Sequence, residues 1–185
     1  MAGRAGSGKS AVARHMAQQP QVEWIDLDKV AWGTYAMGTS VYDRLIGAFG
    51  KAILDSSGEI NRLQLAEAAF ASEESQKLLN VIVHPAVSEE VKRLIRVHRG
   101  MDTELLLVEG ALLASSPYVD RSDFDLIVWL DVPEDIRAKR LRDAGRSAHT
   151  HRGNETSPTG EHVPVPADGT VKTVASRILR TILGK

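Results

Sequence analysis

The first ten residues, MAGRAGSGKS, hold the densest chemistry in the chain. Gly3, Gly8, Lys9 and Ser10 complete the pattern G-x-x-x-x-G-K-S, with Gly6 and Ser7 inside the turn and Ala11 just after it. Glycines at this spacing let backbone N–H groups turn inward around an anion. Lys9 is placed to reach the outer phosphates of a nucleotide, and the Ser10 hydroxyl to ligate Mg²⁺. A helix opening here adds the positive end of its dipole. A second group lies in IDLD, residues 25–28. Asp26 and Asp28 close a predicted strand, where open α/β sheets place their ligands. Acids one residue apart on a strand share a face. One would orient and deprotonate an acceptor hydroxyl while the other holds Mg²⁺ through water. The alternative is a pair of solvated turn acids, or a helix N-cap.

A third group is basic. Between residues 137 and 152, Arg137, Lys139, Arg140, Arg142, Arg146 and Arg152 stand against one acid, Asp143. Phosphoryl transfer spreads negative charge over the moving group, and a closing lid brings arginines to it. Arg146, directly after Gly145, is the expected lid arginine, with Arg140 second. Arg137 and Lys139 read as a solvated helix face. His149, His151 and His162 lack a metal-binding arrangement.

Elements must hold these residues in place. Apolar runs alternate with helical patterns, which predicts an α/β fold with a mostly parallel sheet. Helices are expected from Gly8 to about Gln19, over 40–49 with Ser40 as N-cap, from Asn61 to Phe70, from Ser72 to about Val81, from Pro85 to about Arg99, and over 170–183. In the last, Val171, Val174, Ile178, Leu179 and Ile182 should point inward. Strands are expected at 21–26, 105–110 and 124–131, with a short one at 162–165. Asp131 and Glu134 suggest a capping arrangement, with Pro133 in the first turn. Residues 145–160 are polar and aperiodic, a loop or flap.

A phosphate loop normally hangs from a buried central strand. Only Met1 and Ala2 precede Gly3. The expectation is a strand upstream of Met1, or a short form that fills the gap by another route.

Composition narrows the function classes. The chain has 185 residues, 43% of them hydrophobic, a net charge of −1 and no cysteine. That length suits one domain. Near-neutral charge argues against bulk attraction to nucleic acid or anionic membranes. No apolar run suits a bilayer, and no secretion signal is visible. The absence of cysteine excludes disulfides and thiolate chemistry and fits a cytoplasmic protein.

GSGKS, IDLDKVAW, GEINRLQLAEAAF, LLNVIVHPAV and LLVEGALL, in this order and spacing, resemble the dephospho-CoA kinases. The resemblance runs from about residue 3 to about residue 144. It implies a single P-loop kinase domain over 1–185: a three-layer sandwich with helices on both faces of the sheet, an acceptor-side helical region at about 34–100 and a small mobile lid at about 137–160. It implies ATP, Mg²⁺ and a small-molecule acceptor, dephospho-coenzyme A, phosphorylated on its ribose 3′-hydroxyl. By the same resemblance Lys9, Asp28 and Arg146 are catalytic, with Asp28 the base. Arg62 would pair with a substrate phosphate, or be a helix-surface charge. His84 and Pro85 would enter the acceptor-side helices, as a substrate contact or a helix start. Glu109 and Gly110 would lie at the strand end near the acceptor, with Glu109 an indirect Mg²⁺ ligand or simply hydrogen-bonded. Members usually have a longer helical lid and an Asn in the adenine loop, where this chain reads VPVPADGT. Two other readings stay open: a P-loop kinase for a nucleoside, nucleotide or other small hydroxyl compound, and a non-catalytic nucleotide-binding paralogue. Oligomeric state is not legible.

Overall fold

The computed structural model describes residues 1–110, 113, 116–146 and 160–184. His149, His151, Arg152 and most of the expected lid lie outside the described residues. The chain forms two compact units, Met1–Asp26 with Ile95–Lys185, and Leu27–Leu94.

The first unit is built on parallel strands. β1 (Val22–Asp26) pairs with β2 (Leu105–Glu109), and β3 (Val128–Asp131) with β4 (Val163–Pro166). Residues 1 and 2 join the two ribbons. The Met1 amine donates to the Val108 carbonyl at 2.6 Å, and Gly110 N–H donates to the Met1 carbonyl at 3.3 Å. On the other side Ala2 N–H donates to Val128 and the Ala2 carbonyl accepts from Leu130, at 2.8 and 2.9 Å. Ala2 thereby forms a parallel bridge to Trp129, and Met1 joins it to β2. Below them, between β2 and β3, lies a cavity of about 330 Å³ lined by Leu105, Leu107, Phe124, Leu126, Val128 and Ile182 among others. The cavity is lined chiefly by apolar groups.

Helices α1 (Lys9–Met16) and α7 (Val171–Leu183) pack on one face of this sheet. Val12 and Met16 meet Leu107, Leu130 and Val165, and Val174 and Ile178 close the same core. Val108 and Trp129 alternate with that set, so they point to the opposite face. They too are buried, as expected of parallel strands covered on both sides. Thr170 caps α7 through the Thr173 N–H. Val171 and Leu179, expected inward, are exposed; the buried stripe is Val174, Ala175 and Ile178.

β3 is shorter than expected. Its pairing begins only at the Ile127 carbonyl, which accepts from Val163 N–H, and at Val128, which accepts from Ala2 N–H, and Phe124 and Leu126 line the cavity instead. Helix α6 (Glu134–Asp143) follows. The anticipated cap by Asp131 and Glu134 does not form. The helix starts at Glu134, so Pro133, which has no side-chain acceptor, takes the N-cap position, and the Glu134 carboxylate is engaged by arginines instead.

The second unit is helical. It contains α2 (Leu27–Thr34), α3 (Ser40–Phe49), a 3₁₀ turn at Lys51–Ile53, α4 (Arg62–Ala69) and most of α5 (Glu73–Arg99). Thr39, not Ser40, caps α3, accepting from Tyr42 N–H. Asn61 caps α4, its Oδ1 accepting from Leu63 and Gln64. The two helices expected around Pro85 are one continuous helix. Proline deletes one i→i−4 bond and disfavours an interior helical site. Here burial of Ile82, Val83, Val87 and Val91 along one stripe carries the helix through it.

Candidate functional site: a phosphate loop and an acceptor-side cluster

The phosphate loop is formed. Gly3, Gly6 and Gly8 have φ of 152°, 81° and 92°, a region side chains rarely adopt. Gly6 has a second constraint. A Cβ there would stand 2.9 Å from Leu141 and 3.0 Å from the Arg137 carbonyl, so the turn is pressed against α6. Gly8 is the N-cap of α1, which starts at Lys9. The Lys9 ammonium lies over the loop, donating to the Gly3 carbonyl at 2.7 Å and the Arg4 carbonyl at 3.2 Å. Ser7 is buried. Ala11, just beyond, is exposed in the first turn of α1.

Ser10 Oγ donates to Glu109 Oε1 at 2.7 Å. Glu109 is only 3% exposed, at the end of β2. A hydroxyl and a carboxylate brought together this way form a hard oxygen donor pair. Mg²⁺ takes few protein ligands and completes its shell with water and phosphate oxygens. The pair therefore fits Mg²⁺, with Ser10 as ligand and Glu109 acting directly or through water. Among the described residues no group of three or more His, Cys, Asp or Glu gathers at one point. Gly110 follows Glu109 and pairs with Met1.

Helix α6 grips the outside of the loop. Arg137, expected on a solvated face, is fully buried. Its Nη1 donates to the Ala5 carbonyl at 3.2 Å, and its Nε and Nη2 form a two-pronged pair with Glu134. The carboxylate also faces Arg4 at 3.7 Å. These arginines, Arg137 foremost, hold the Glu134 carboxyl below the usual carboxylate range. One turn further, Arg140 Nη1 donates to the Ser7 carbonyl and Nη2 to the Gly169 carbonyl, both at 3.3 Å. Two arginines at i and i+3 thus hold alternate carbonyls of the loop. Carbonyls held outward leave the intervening N–H groups directed inward, where an anion binds. Lys139 is exposed, as expected, and so is Arg146, beyond the end of α6 and after the positive-φ Gly145.

Asp26 and Asp28 do not share a strand face. Asp26 ends β1, and the chain turns into α2 at Leu27, which puts Asp28 in that helix's first turn. In the second unit Asp28 and Trp32 stand at i and i+4 on one side of α2, and Tyr35 follows just past its end. Arg62, the first residue of α4, lies with its guanidinium carbon 3.6 Å from the centroid of the Trp32 ring. Burial raises the Tyr35 phenol pKa, with Arg62 opposing and Asp28 adding to the shift. Arg62 thus contacts Trp32, and Tyr35 feels the charges of both Arg62 and Asp28. Trp32 and Tyr35 carried no motif, but the 28/32 spacing behind a strand-end acid is a readable signal. His84 and Pro85 sit mid-helix in α5. Burial lowers the His84 pKa.

The family model for dephospho-CoA kinase (CoaE) matches residues 1–156. The chain belongs to the dephospho-CoA kinase family. It is 37% identical over 143 residues to a dephospho-CoA kinase of Corynebacterium diphtheriae, covering 77% of this chain and 70% of that one. A dephospho-CoA kinase of Geobacillus kaustophilus is 34% identical, with 76% and 69% covered. Among solved structures, TT1252 from Thermus thermophilus superposes with a TM-score of 0.76 at 22% identity, covering 99% of this chain and 94% of that one. A dephospho-CoA kinase from Campylobacter jejuni gives a TM-score of 0.62 at 14% identity, covering 96% and 90%. These structures share its α/β fold. Membership makes the chain an ATP-dependent kinase acting on a small molecule. No described helix is long and apolar enough to cross a membrane.

Proposed function

We propose that this chain transfers the γ-phosphoryl group of ATP to the ribose 3′-hydroxyl of dephospho-coenzyme A, in a single kinase domain using Mg²⁺. The observation that carries the reading is the family match over residues 1–156. A formed phosphate loop and the Ser10–Glu109 oxygen pair support it.

The residues divide the work by chemistry. Backbone N–H groups of the loop and the α1 N-terminus bind the phosphates. Lys9 leaves the Gly3 and Arg4 carbonyls to neutralise the β- and γ-phosphates. Ser10 and Glu109 hold Mg²⁺, which when bound offsets phosphate charge. Asp26, at the end of β1, is a further candidate to hold it through water. Asp28 accepts the proton of the 3′-hydroxyl as its oxygen attacks the γ-phosphorus, and ADP departs. Arg62 pairs with a phosphate of the acceptor, and His84 and Pro85 shape the acceptor-side helices. Arg146 serves as the lid arginine.

A coupled ADP-release assay with dephospho-coenzyme A and a panel of nucleosides tests this. Turnover should depend on dephospho-coenzyme A and on Mg²⁺. Equal stimulation by nucleosides would sink the assignment of the acceptor.

A further inference from the structure

We infer that Trp32 is a specificity residue for the acceptor: it holds the Arg62 guanidinium flat so that its N–H edge binds the acceptor's diphosphate. The inference rests on the function proposed above and adds a residue to it. Trp32 is 39% exposed, and Arg62 is exposed beside it. At 3.6 Å from the ring centroid, the guanidinium is stacked on the indole. Stacking uses the faces of both groups. It leaves the in-plane N–H donors of the guanidinium directed outward, the fork that matches two phosphate oxygens. An Arg without such a support loses rotamer freedom when it binds. One already laid on an aromatic ring loses less. Asp28 precedes Trp32 by one helical turn, so hydroxyl recognition and phosphate recognition fall on neighbouring positions of one helix. Tyr35, just past the end of α2, feels the charges of both Arg62 and Asp28. Such a group distinguishes a nucleotide acceptor bearing a diphosphate from a bare nucleoside.

The test uses the full chain with Trp32→Ala, Trp32→Phe and Arg62→Lys. Trp32→Ala should raise KM for dephospho-coenzyme A about tenfold and change kcat less than about twofold, since binding rather than chemistry is removed. Trp32→Phe should recover most of that loss, as Phe still offers a face. Arg62→Lys should match Trp32→Ala, because a point charge does not stack or fork. Adenosine, which lacks the diphosphate, should bind all four proteins alike. Dephospho-coenzyme A should quench tryptophan fluorescence in the wild type, and much of that quench should vanish in Trp32→Phe. A Trp32→Ala protein that melts earlier but keeps its KM would overturn the inference and leave Trp32 as a brace between α2 and α4. So would an equal loss of adenosine and dephospho-coenzyme A binding. Absence of dephospho-coenzyme A binding and turnover in the wild type sinks the proposed function instead, a result distinct from either.

Discussion

At the residue scale, the acid with the sharpest expected role is Asp28. It opens α2 directly after β1, where the first turn presents a carboxylate without the constraint of a ladder position. If it takes the acceptor proton, its charge matters most as the hydroxyl ionises. Asp28→Asn should therefore lower kcat by about a hundredfold or more, in line with loss of a general base. KM for ATP should move little, because the phosphate loop is untouched. Steady-state kinetics check this, and unchanged kcat removes Asp28 as the base. The sequence marks Asp26 and Asp28 as strand-end acids, and only Asp26 ends the strand. The place of Asp28 in a helix was not legible, because it depended on where the strand gave way to helix. Arg137 shows the same limit. A run such as DIRAKRLRD reads as solvated, and only the loop packed against α6 decides which arginine is buried.

At the element scale, α6 works as a clamp on the phosphate loop, and its two arginines should fail differently. Arg137→Ala leaves the Ala5 carbonyl and the Glu134 carboxylate without their guanidinium. Breaking a fully buried pair costs roughly 3–5 kcal/mol. Glu134 is half exposed and recovers water, so about 2 kcal/mol is expected, or a Tm lower by roughly 4–8 °C. Arg140→Ala should melt nearly as the wild type. It unties Ser7 from Gly169 and should raise KM for ATP about fivefold or more through a less ordered loop. Thermal melts beside ATP titrations separate the two. Should both variants lose only stability, the clamp has no part in nucleotide binding. Elements with local signals were legible at this scale: the Asn61 cap, the apolar run of β2 and the Thr170 helix. Pro85 misled because proline is a strong local stop signal, while the stripe Ile82, Val83, Val87 and Val91 that overrides it is a tertiary fact. β3 came out short for a similar reason, since strand length depends on partners distant in sequence.

At the scale of the whole molecule, the sheet is held together across its middle by two residues. Met1 and Ala2 pair with β2 and β3, and the apolar cavity lies where further ladder would run. The cavity is a slot beside the two residues that bridge β2 and β3. The Met1 amine sits at its mouth. Burial lowers its pKa from 8.0 to about 5, with Glu109 opposing and Lys9 reinforcing the shift. The folded state therefore favours the neutral amine, while the unfolded chain protonates below pH 8. The sign follows: this contribution to stability is complete above pH 8 and is lost as pH falls toward 5. Fusing four apolar β-formers before Met1 should change both properties. The amine becomes an amide that still donates to Val108 and no longer titrates. The added side chains enter the cavity, and a net gain of about 2 kcal/mol, after the entropy of ordering four residues, would raise Tm by roughly 4–8 °C. Melting curves from pH 8 to pH 5 compare the two chains. The unextended chain should lose stability more steeply over that range. Parallel slopes would show that the amine carries no such burden, and an unchanged Tm at pH 8 would show that the slot does not take a strand.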